Sequence, residues 1–427
     1  MPLPPLIEIQ PLAAPVRAQI VVPGSKSITN RALILAALGR GRTTLRGALW
    51  SEDTQVMVAC LKTLGFAVDV EPDLPEPANR TITVVGLDGS LPRGGTPDQP
   101  LELRVGNAGT AARFLAAMVC LGRGVCRLQG VARMHERPQA ALFQALRQLG
   151  YRVDSANDRL PALIHGRGPR PGRCGVSIAE SSQFASALLL SARAGGWHIE
   201  IEDENAEESP YVVMTSQLGA AFPRDGGVFQ IEPDASSGSY FQAANMISNL
   251  KFQTSNSIQV AHWPVSGWQI DASFPKFWPL PPTVSRQRDL GDSIMTAIAL
   301  APLADHPVKF TDLGRLRVQE CERVAALRAE LTRCGAQVVE QGDTLEVFPS
   351  VLHGAEIETY QDHRLAMCFA VVGLAVKGIR LRHPACVKKT FPNFFQKLAA
   401  APPDGLGVAM SDTATGRRLR PEDLFAD

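Results

Sequence analysis

Eight short stretches of this chain, forming six motifs, carry residue types able to grip anions or to move protons. In VVPGSKSITNRALILAA, Lys26 and Arg31 flank a Gly-Ser-Lys-Ser turn that runs into an apolar helix. Free N–H groups at a helix start, with the hydroxyls of Ser25, Ser27 and Thr29, suit an anion. The spacing is not that of a nucleotide P-loop, because no G-x-x-x-x-G precedes the lysine. In VGNAGTAARFLAA, Gly106, Asn107, Gly109 and Thr110 precede a helix carrying Arg113; small residues let a ligand approach the backbone N–H groups. In RMHERPQAALFQALRQLG, Arg137 and Pro138 open a helix, and proline fits a first helical position. In ESSQFASALLLSA, Ser181, Ser182 and Gln183 stand at another helix start, where hydroxyls and an amide either bind phosphate oxygens or cap the helix.

The remaining two motifs hold carboxylates and further cations. Asp292 in GDSIMTA and Glu320 in RLRVQECERVAAL lie on separate elements, and the second also supplies Arg323. Two such carboxylates can divide the roles of base and acid if their environments differ, and each alone is as readily a salt-bridge partner. ETYQDHRLAMCFA and CVKKTFPNFF add Asp362, His363, Arg364 and Lys389. An arginine held by an aspartate is a preorganised fork for carboxylate or phosphate.

These residues must be positioned by elements that the pattern also exposes. Apolar-periodic helices end at a small cap and pass into a short strand in CLKTLGFAVDV, ALRQLGYRVD, VMTSQLGAAF and ELTRCGAQVVE, with caps expected at Gly65, Gly150, Gly219 and Gly335. Glycine closes a helix there with positive φ and no Cβ clash. The recurrence predicts an α/β architecture of similar units rather than one doubly wound sheet. Chain length, 427 residues, exceeds what one ordinary core accommodates, so two lobes are expected. GVAMSDTATGRRLRPEDLFAD, at the end, has weak periodicity and reads as a mobile appendage beyond Pro402.

Composition narrows the class. Hydrophobic residues at 45% and charged residues at 20% are those of a globular protein. With 43 basic and 42 acidic residues, net charge +1, there is no global field for nucleic acid or an anionic membrane, so any anion site is local. The eight cysteines show no C-x-x-C pair and no zinc-like spacing with histidine, which predicts free thiols, no metal and a reducing, cytoplasmic setting. No apolar run reaches about 18 residues, so no membrane span is expected.

Taken together and in order, PGSKSxxNRAL, GNAGTAxR, ERP before a helix, SSQ, EPDASSGSYF, ETYxDHRxAM and KTFPxFF closely resemble the 5-enolpyruvylshikimate-3-phosphate (EPSP) synthase family of enolpyruvyl transferases, from about Val22 to Leu398. The resemblance implies two lobes of repeated βαβαββ units, an inverse α/β barrel in each, closing over substrates between them. One lobe would be residues 22–234, the other 1–21 with 235–402, leaving 403–427 as a tail. It implies transfer of the enolpyruvyl group of phosphoenolpyruvate to the 5-hydroxyl of shikimate 3-phosphate, with no cofactor, no partner beyond the small-molecule substrates, and a monomer.

By matching position, phosphoenolpyruvate would meet Lys26, Asn107, Gly109, Arg137, Gln183, Arg323, Arg364 and Lys389. The acceptor would meet Ser27, Arg31, Ser181, Ser182, Gln183, Tyr211, Asp292 and Gln319. Asp292 would take the hydroxyl proton, and Glu320 or Lys26 would protonate the methylene carbon. Two positions depart from the family pattern: Gln319 stands where a basic residue is common, and Glu208 where a serine is, with Ser209 one place later. Either Ser209 enters the site and Gln319 donates a neutral hydrogen bond, or the acceptor is a carboxylated ring without the phosphate. A non-catalytic relative and a kinase are the other classes; retained Asp292, Glu320 and Lys26 oppose the first, and the missing nucleotide loop opposes the second.

Overall fold

A computed structural model of the chain describes residues 3–73, 76–202, 209–253 and 257–426; Glu208 lies outside them. Three of the expected helix stops are present. Gly65, Gly150 and Gly335 have φ of +93°, +81° and +93°, a conformation that only glycine adopts cheaply. Gly219 is different, because it lies inside the helix Pro210–Ala221, which ends at Phe222. Ala220 and Ala221 follow it, and alanine is the best helix former, so the helix runs on. Gly196, with φ +69°, instead closes the helix Gln183–Gly195 and leads into the strand Trp197–Glu202.

Those helix-to-strand passages build a repeated sheet. Leu101–Gly106 pairs in parallel with Arg123–Gly130, which pairs antiparallel with Ala162–Arg167, which pairs antiparallel with Arg152–Asp154. Thr283–Ser285, Val308–Thr311, Thr344–Val347 and Val338–Gln341 repeat the same order and senses. A helix joins each parallel pair, as a crossover must, and two consecutive strands form the antiparallel edge, giving the chain order βαβαββ. A third such sheet takes its outer parallel strand, Gly227–Gln230, from far along the chain, where it lies beside Arg40–Leu49.

The chain divides into two compact units, Gly24–Glu232 and Met1–Pro23 with Pro233–Asp427. In the second unit, the strand Leu6–Ile9 lies between Ile379–Arg382 and Met410–Asp412, antiparallel to both. The segment beyond Pro402 is therefore no appendage. Leu406, Val408 and Met410 are at most 5% exposed, and Leu419, Leu424 and Ala426 are buried with them. Their spacing of two is a strand signal, too short for a periodicity spanning several turns to register. Among the described residues no helix is long and apolar enough to cross a membrane.

The site-bearing helices start where polar side chains accept from their first free N–H groups. Ser25 caps Lys26–Leu38, Asp234 caps Ala235–Phe252, and Asp362 caps His363–Ala375, each through its side-chain oxygen. The last of these helices is apolar nearly all round and runs through the core of its unit.

Removing residues 403–427 exposes the core that these six side chains cover. At roughly 1.5–3 kcal/mol per buried large apolar side chain, the loss is comparable to a domain's whole stability. Chemical denaturation of the truncated chain should show a much weakened or absent cooperative transition; an unchanged midpoint would make the segment dispensable.

Candidate active site

In the unit Gly24–Glu232, the motif residues gather around buried guanidinium groups. Lys26 opens its helix and pairs with Asp53, from the first turn of Glu52–Thr63, at 3.3 Å. Arg31, one turn on, is 1% exposed, and its hydrogen-bond partners among the described residues are neutral: Thr215 Oγ1 at 2.7 Å, Ser186 Oγ at 3.0 Å and the carbonyls of Ser27 and Tyr211. Burial pulls its pKa down to about 10, an effect that the neighbouring Tyr211 offsets only in part. No carboxylate pairs with it among the described residues.

Gly109 is the first residue of the helix Gly109–Met118. A Cβ there would stand 2.6 Å from Arg113 Nη1 and 2.8 Å from Arg137 Nη2. Two guanidinium groups thus cover one glycine, a close approach that any side chain would obstruct. Arg113 donates to Gln183 Oε1 at 3.3 Å and to the Pro138 carbonyl at 2.9 Å, and Arg137 donates to the Asn107 carbonyl at 3.3 Å. Arg113 belongs to the motif, yet its position on a helix gave no hint of this partnership. Ser181 Oγ accepts from the Gln183 N–H, and Ser182 is the N-cap residue of that helix. Ser209, 1% exposed, caps Pro210–Ala221, and its hydroxyl has no hydrogen-bond partner among the described residues.

In the other unit, cations and carboxylates alternate. Asp362 is fully buried; it accepts from Arg323 Nε at 2.6 Å and Nη2 at 3.3 Å while capping the Arg364 N–H at 2.8 Å. Arg323 also donates from Nη2 to Glu320 at 2.8 Å and from Nη1 to the Gln319 side-chain oxygen. Glu320 in turn lies 3.5 Å from Lys389. Arg317 anchors the preceding turn by pairing with Glu322, Glu340 and Asp343.

Asp292 carries one guanidinium on each oxygen, Arg286 at 2.9 Å and Arg364 at 3.0 Å. Burial pushes its carboxyl up, but the charges of Arg364, Arg286 and Arg323 outweigh that and hold it well below the usual aspartate range. Asp271, one element away, accepts from the Ser293 N–H at 3.0 Å and Ser293 Oγ at 2.5 Å. Burial and the neighbouring Asp292 charge raise its pKa.

The expected site residues divide between the two units. Lys26, Ser27, Arg31, Asn107, Gly109, Arg137, Ser181, Ser182, Gln183 and Tyr211 belong to the first unit; Asp292, Gln319, Glu320, Arg323, Arg364 and Lys389 belong to the second. Arg286, Asp271 and Asp53 are additions that sequence reading misses. The signal for Arg286 is weak, a basic residue in an irregular stretch six places before Asp292. Donors of this kind suit a ligand with phosphate and carboxylate groups, and Asp292 and Glu320 supply two carboxylates, each held between two cations.

Comparison with known proteins agrees with this chemistry. A family model described as EPSP synthase (3-phosphoshikimate 1-carboxyvinyltransferase) matches residues 12–398. The 3-phosphoshikimate 1-carboxyvinyltransferase of Opitutus terrae is 38% identical, covering 93% of this chain and 98% of that relative. The protein of the same name from Trichormus variabilis is 35% identical over 92% of this chain and 98% of its own length. Among solved structures, the EPSP synthase from Acinetobacter baumannii superposes with a TM-score of 0.69 at 20% identity, covering 92% of this chain and 97% of that one. The enolpyruvyl transferase NikO from Streptomyces tendae does so with 0.67 at 16% identity, covering 98% and 99%. At those identities the structures establish the α/β fold.

The two neighbouring aspartates respond to acid in opposite senses. Asp292, held low, contributes stability that is complete above an ordinary aspartate pKa of about 3.9 and is lost only as pH falls through its lowered folded value. Asp271, held high, costs stability as a carboxylate and recovers it as pH falls through its raised folded value towards about 3.9. Asp271→Asn keeps an acceptor for Ser293 but cannot titrate. Urea unfolding at about pH 7 and about pH 4.5 should show the difference between the two proteins moving in favour of the wild type at the lower pH; an equal difference at both would mean that Asp271 titrates normally.

Proposed function

The chain belongs to the EPSP synthase family, and on that premise we propose how its own residues divide the work of the reaction. That reaction is the transfer of the enolpyruvyl group of phosphoenolpyruvate to the 5-hydroxyl of shikimate 3-phosphate with release of phosphate, a step of the shikimate pathway. An acceptor lacking the phosphate, which Gln319 and Glu208 left open, is not favoured, since relatives matched over nine-tenths of the chain are named for 3-phosphoshikimate.

The observation that carries the assignment of roles is Asp292, a buried carboxylate kept ionised between two guanidinium groups. It takes the proton from the attacking hydroxyl. Glu320 or Lys26 delivers a proton to the methylene carbon of phosphoenolpyruvate, and the oxygen–carbon bond that forms gives a tetrahedral ketal. Loss of phosphate from the ketal, with return of a methyl proton to a base, restores the double bond. Arg137, Arg323, Arg364, Lys389 and Lys26 stabilise the charge that develops on the departing phosphate. Asn107, Gly109 and Gln183 complete the phosphoenolpyruvate contacts, with Arg113 supporting Gln183.

On the acceptor, Arg31 and Ser27 take the ring carboxylate. That no carboxylate among the described residues pairs with Arg31 supports this, because a buried guanidinium with neutral neighbours gains most from an arriving anion. Ser181, Ser182 and Ser209 take phosphate oxygens, and the buried hydroxyl of Ser209, which has no hydrogen-bond partner among the described residues, supports its entry into that set. Tyr211 and Gln319 flank the acceptor as neutral groups.

Two substitutions test these roles by phosphate release from phosphoenolpyruvate with shikimate 3-phosphate as acceptor. Asp292→Asn preserves shape but cannot accept a proton, so kcat should fall by about 10²- to 10⁴-fold while calorimetric binding of phosphoenolpyruvate persists; surviving turnover would remove Asp292 from the role of base. Gly109→Ala displaces the ends of two flexible arginines rather than the backbone. The protein should fold with normal stability, and KM for phosphoenolpyruvate should rise about 10- to 100-fold; an unchanged KM would detach Gly109 from that ligand.

A further inference from the structure

Arg286 is the one cation of the Asp292 cluster that the resemblance assigns to neither substrate. It lies in the turn after the strand Thr283–Ser285, its backbone N–H donating to the Thr311 carbonyl at 3.1 Å. Its side chain is 8% exposed and reaches Asp292 Oδ1 with Nη2. Its Nε is buried and has no hydrogen-bond partner among the described residues. A guanidinium that is desolvated, with a donor left over, is poised for another acceptor.

Charge balance points the same way. Among the described residues, four cations, Arg286, Arg323, Arg364 and Lys389, are joined through ion pairs and hydrogen bonds to three carboxylates, Asp292, Glu320 and Asp362, while the neighbouring Asp271 is hydrogen-bonded to Ser293 and its pKa is raised by burial. Gln319, the position from which a cation was expected to serve the acceptor, is neutral, and its side-chain oxygen is taken up by Arg323. On a six-membered ring, the groups at carbons 3 and 5 are separated by a single ring atom. A base that touches the 5-hydroxyl therefore has the 3-phosphate within reach of a side chain that touches the base itself, as Arg286 does at 2.9 Å.

Resting on the acceptor reading above, we propose that Arg286 binds the 3-phosphate of the acceptor and sets the preference of this enzyme for the phosphorylated ring, in place of a base at position 319. A planar fork with a free Nε suits a phosphate monoester, which accepts two parallel N–H bonds.

The test compares kcat/KM for shikimate 3-phosphate with kcat/KM for shikimate, in the wild type, Arg286→Gln and Arg286→Lys. Because Arg286 also touches Asp292, its removal alters the base for both acceptors, and that common effect cancels in the ratio. The ratio should fall about 10- to 100-fold in Arg286→Gln, as expected for loss of a charged hydrogen-bonding partner. Arg286→Lys, which keeps the charge and the core contacts of the stem, should give an intermediate value, and it provides the reading if the glutamine variant fails to fold. Adding Gln319→Lys to Arg286→Gln should restore part of the preference. Equal losses with both acceptors would reduce Arg286 to a positioning residue for Asp292 and overturn the proposal alone. A wild type with no preference for the phosphorylated ring would overturn the acceptor reading and this proposal with it.

Discussion

The arrangement of the second unit depends on a single buried ion pair. Asp362, without solvent contact, must have every lone pair engaged, and its oxygens meet Arg323 twice and the Arg364 N–H once. Removing either partner of a pair like this leaves an uncompensated buried charge, at a cost of about 3–5 kcal/mol. The consequence is geometric as much as energetic. Once Nε of Arg323 is fixed on Asp362, the rest of its fork can only point at Gln319 and Glu320, and Glu320 then stands between Arg323 and Lys389. Because Asp362 is also the N-cap, the same carboxylate starts the helix that delivers Arg364 to Asp292.

A second regularity links fold to chemistry. Lys26, Gly109, Gln183 and Arg323 are each the first residue of a helix, and Arg364 is the second residue of another. A helix start presents unpaired N–H groups and the positive end of its dipole, so cationic side chains there are placed against local electrostatics. An anion at such a start relieves both the dipole and the side-chain charges. Repetition of the strand–helix–strand unit supplies several such starts without requiring a different solution for each.

Why some of this was legible in the sequence follows from range. Caps, glycine stops and helix-start motifs are local, and Gly65, Gly150 and Gly335 take the positive φ that their context predicts. Gly219 resembled them, but the two alanines after it favour continued helix, and a glycine costs a helix only about 1 kcal/mol. The C-terminal strands are two or three residues long; Arg418–Leu419 pairs with Met410–Asp412, which in turn pairs with Leu6–Ile9 at the far end of the chain, a contact that no local window contains. Arg286 escaped notice for the same reason: its role comes from Asp292 and the turn that joins them, not from a periodic element. Conversely, Gln319 was conspicuous as a departure from pattern, yet its partner, Arg323, is visible only in three dimensions.

The same cations that make Asp292 a stable carboxylate make it a weak base. Both of its oxygens are engaged by guanidinium groups, and their charges are what hold its proton affinity down. A ligand bearing phosphate and carboxylate groups competes for those same donors. Whatever share of the Arg364 or Arg286 charge turns towards a bound anion no longer acts on Asp292, and burial then drives its pKa upward. On the roles proposed above, binding of the anions and activation of the base are one electrostatic event, since the carboxylate gains proton affinity when the ligand arrives to use it.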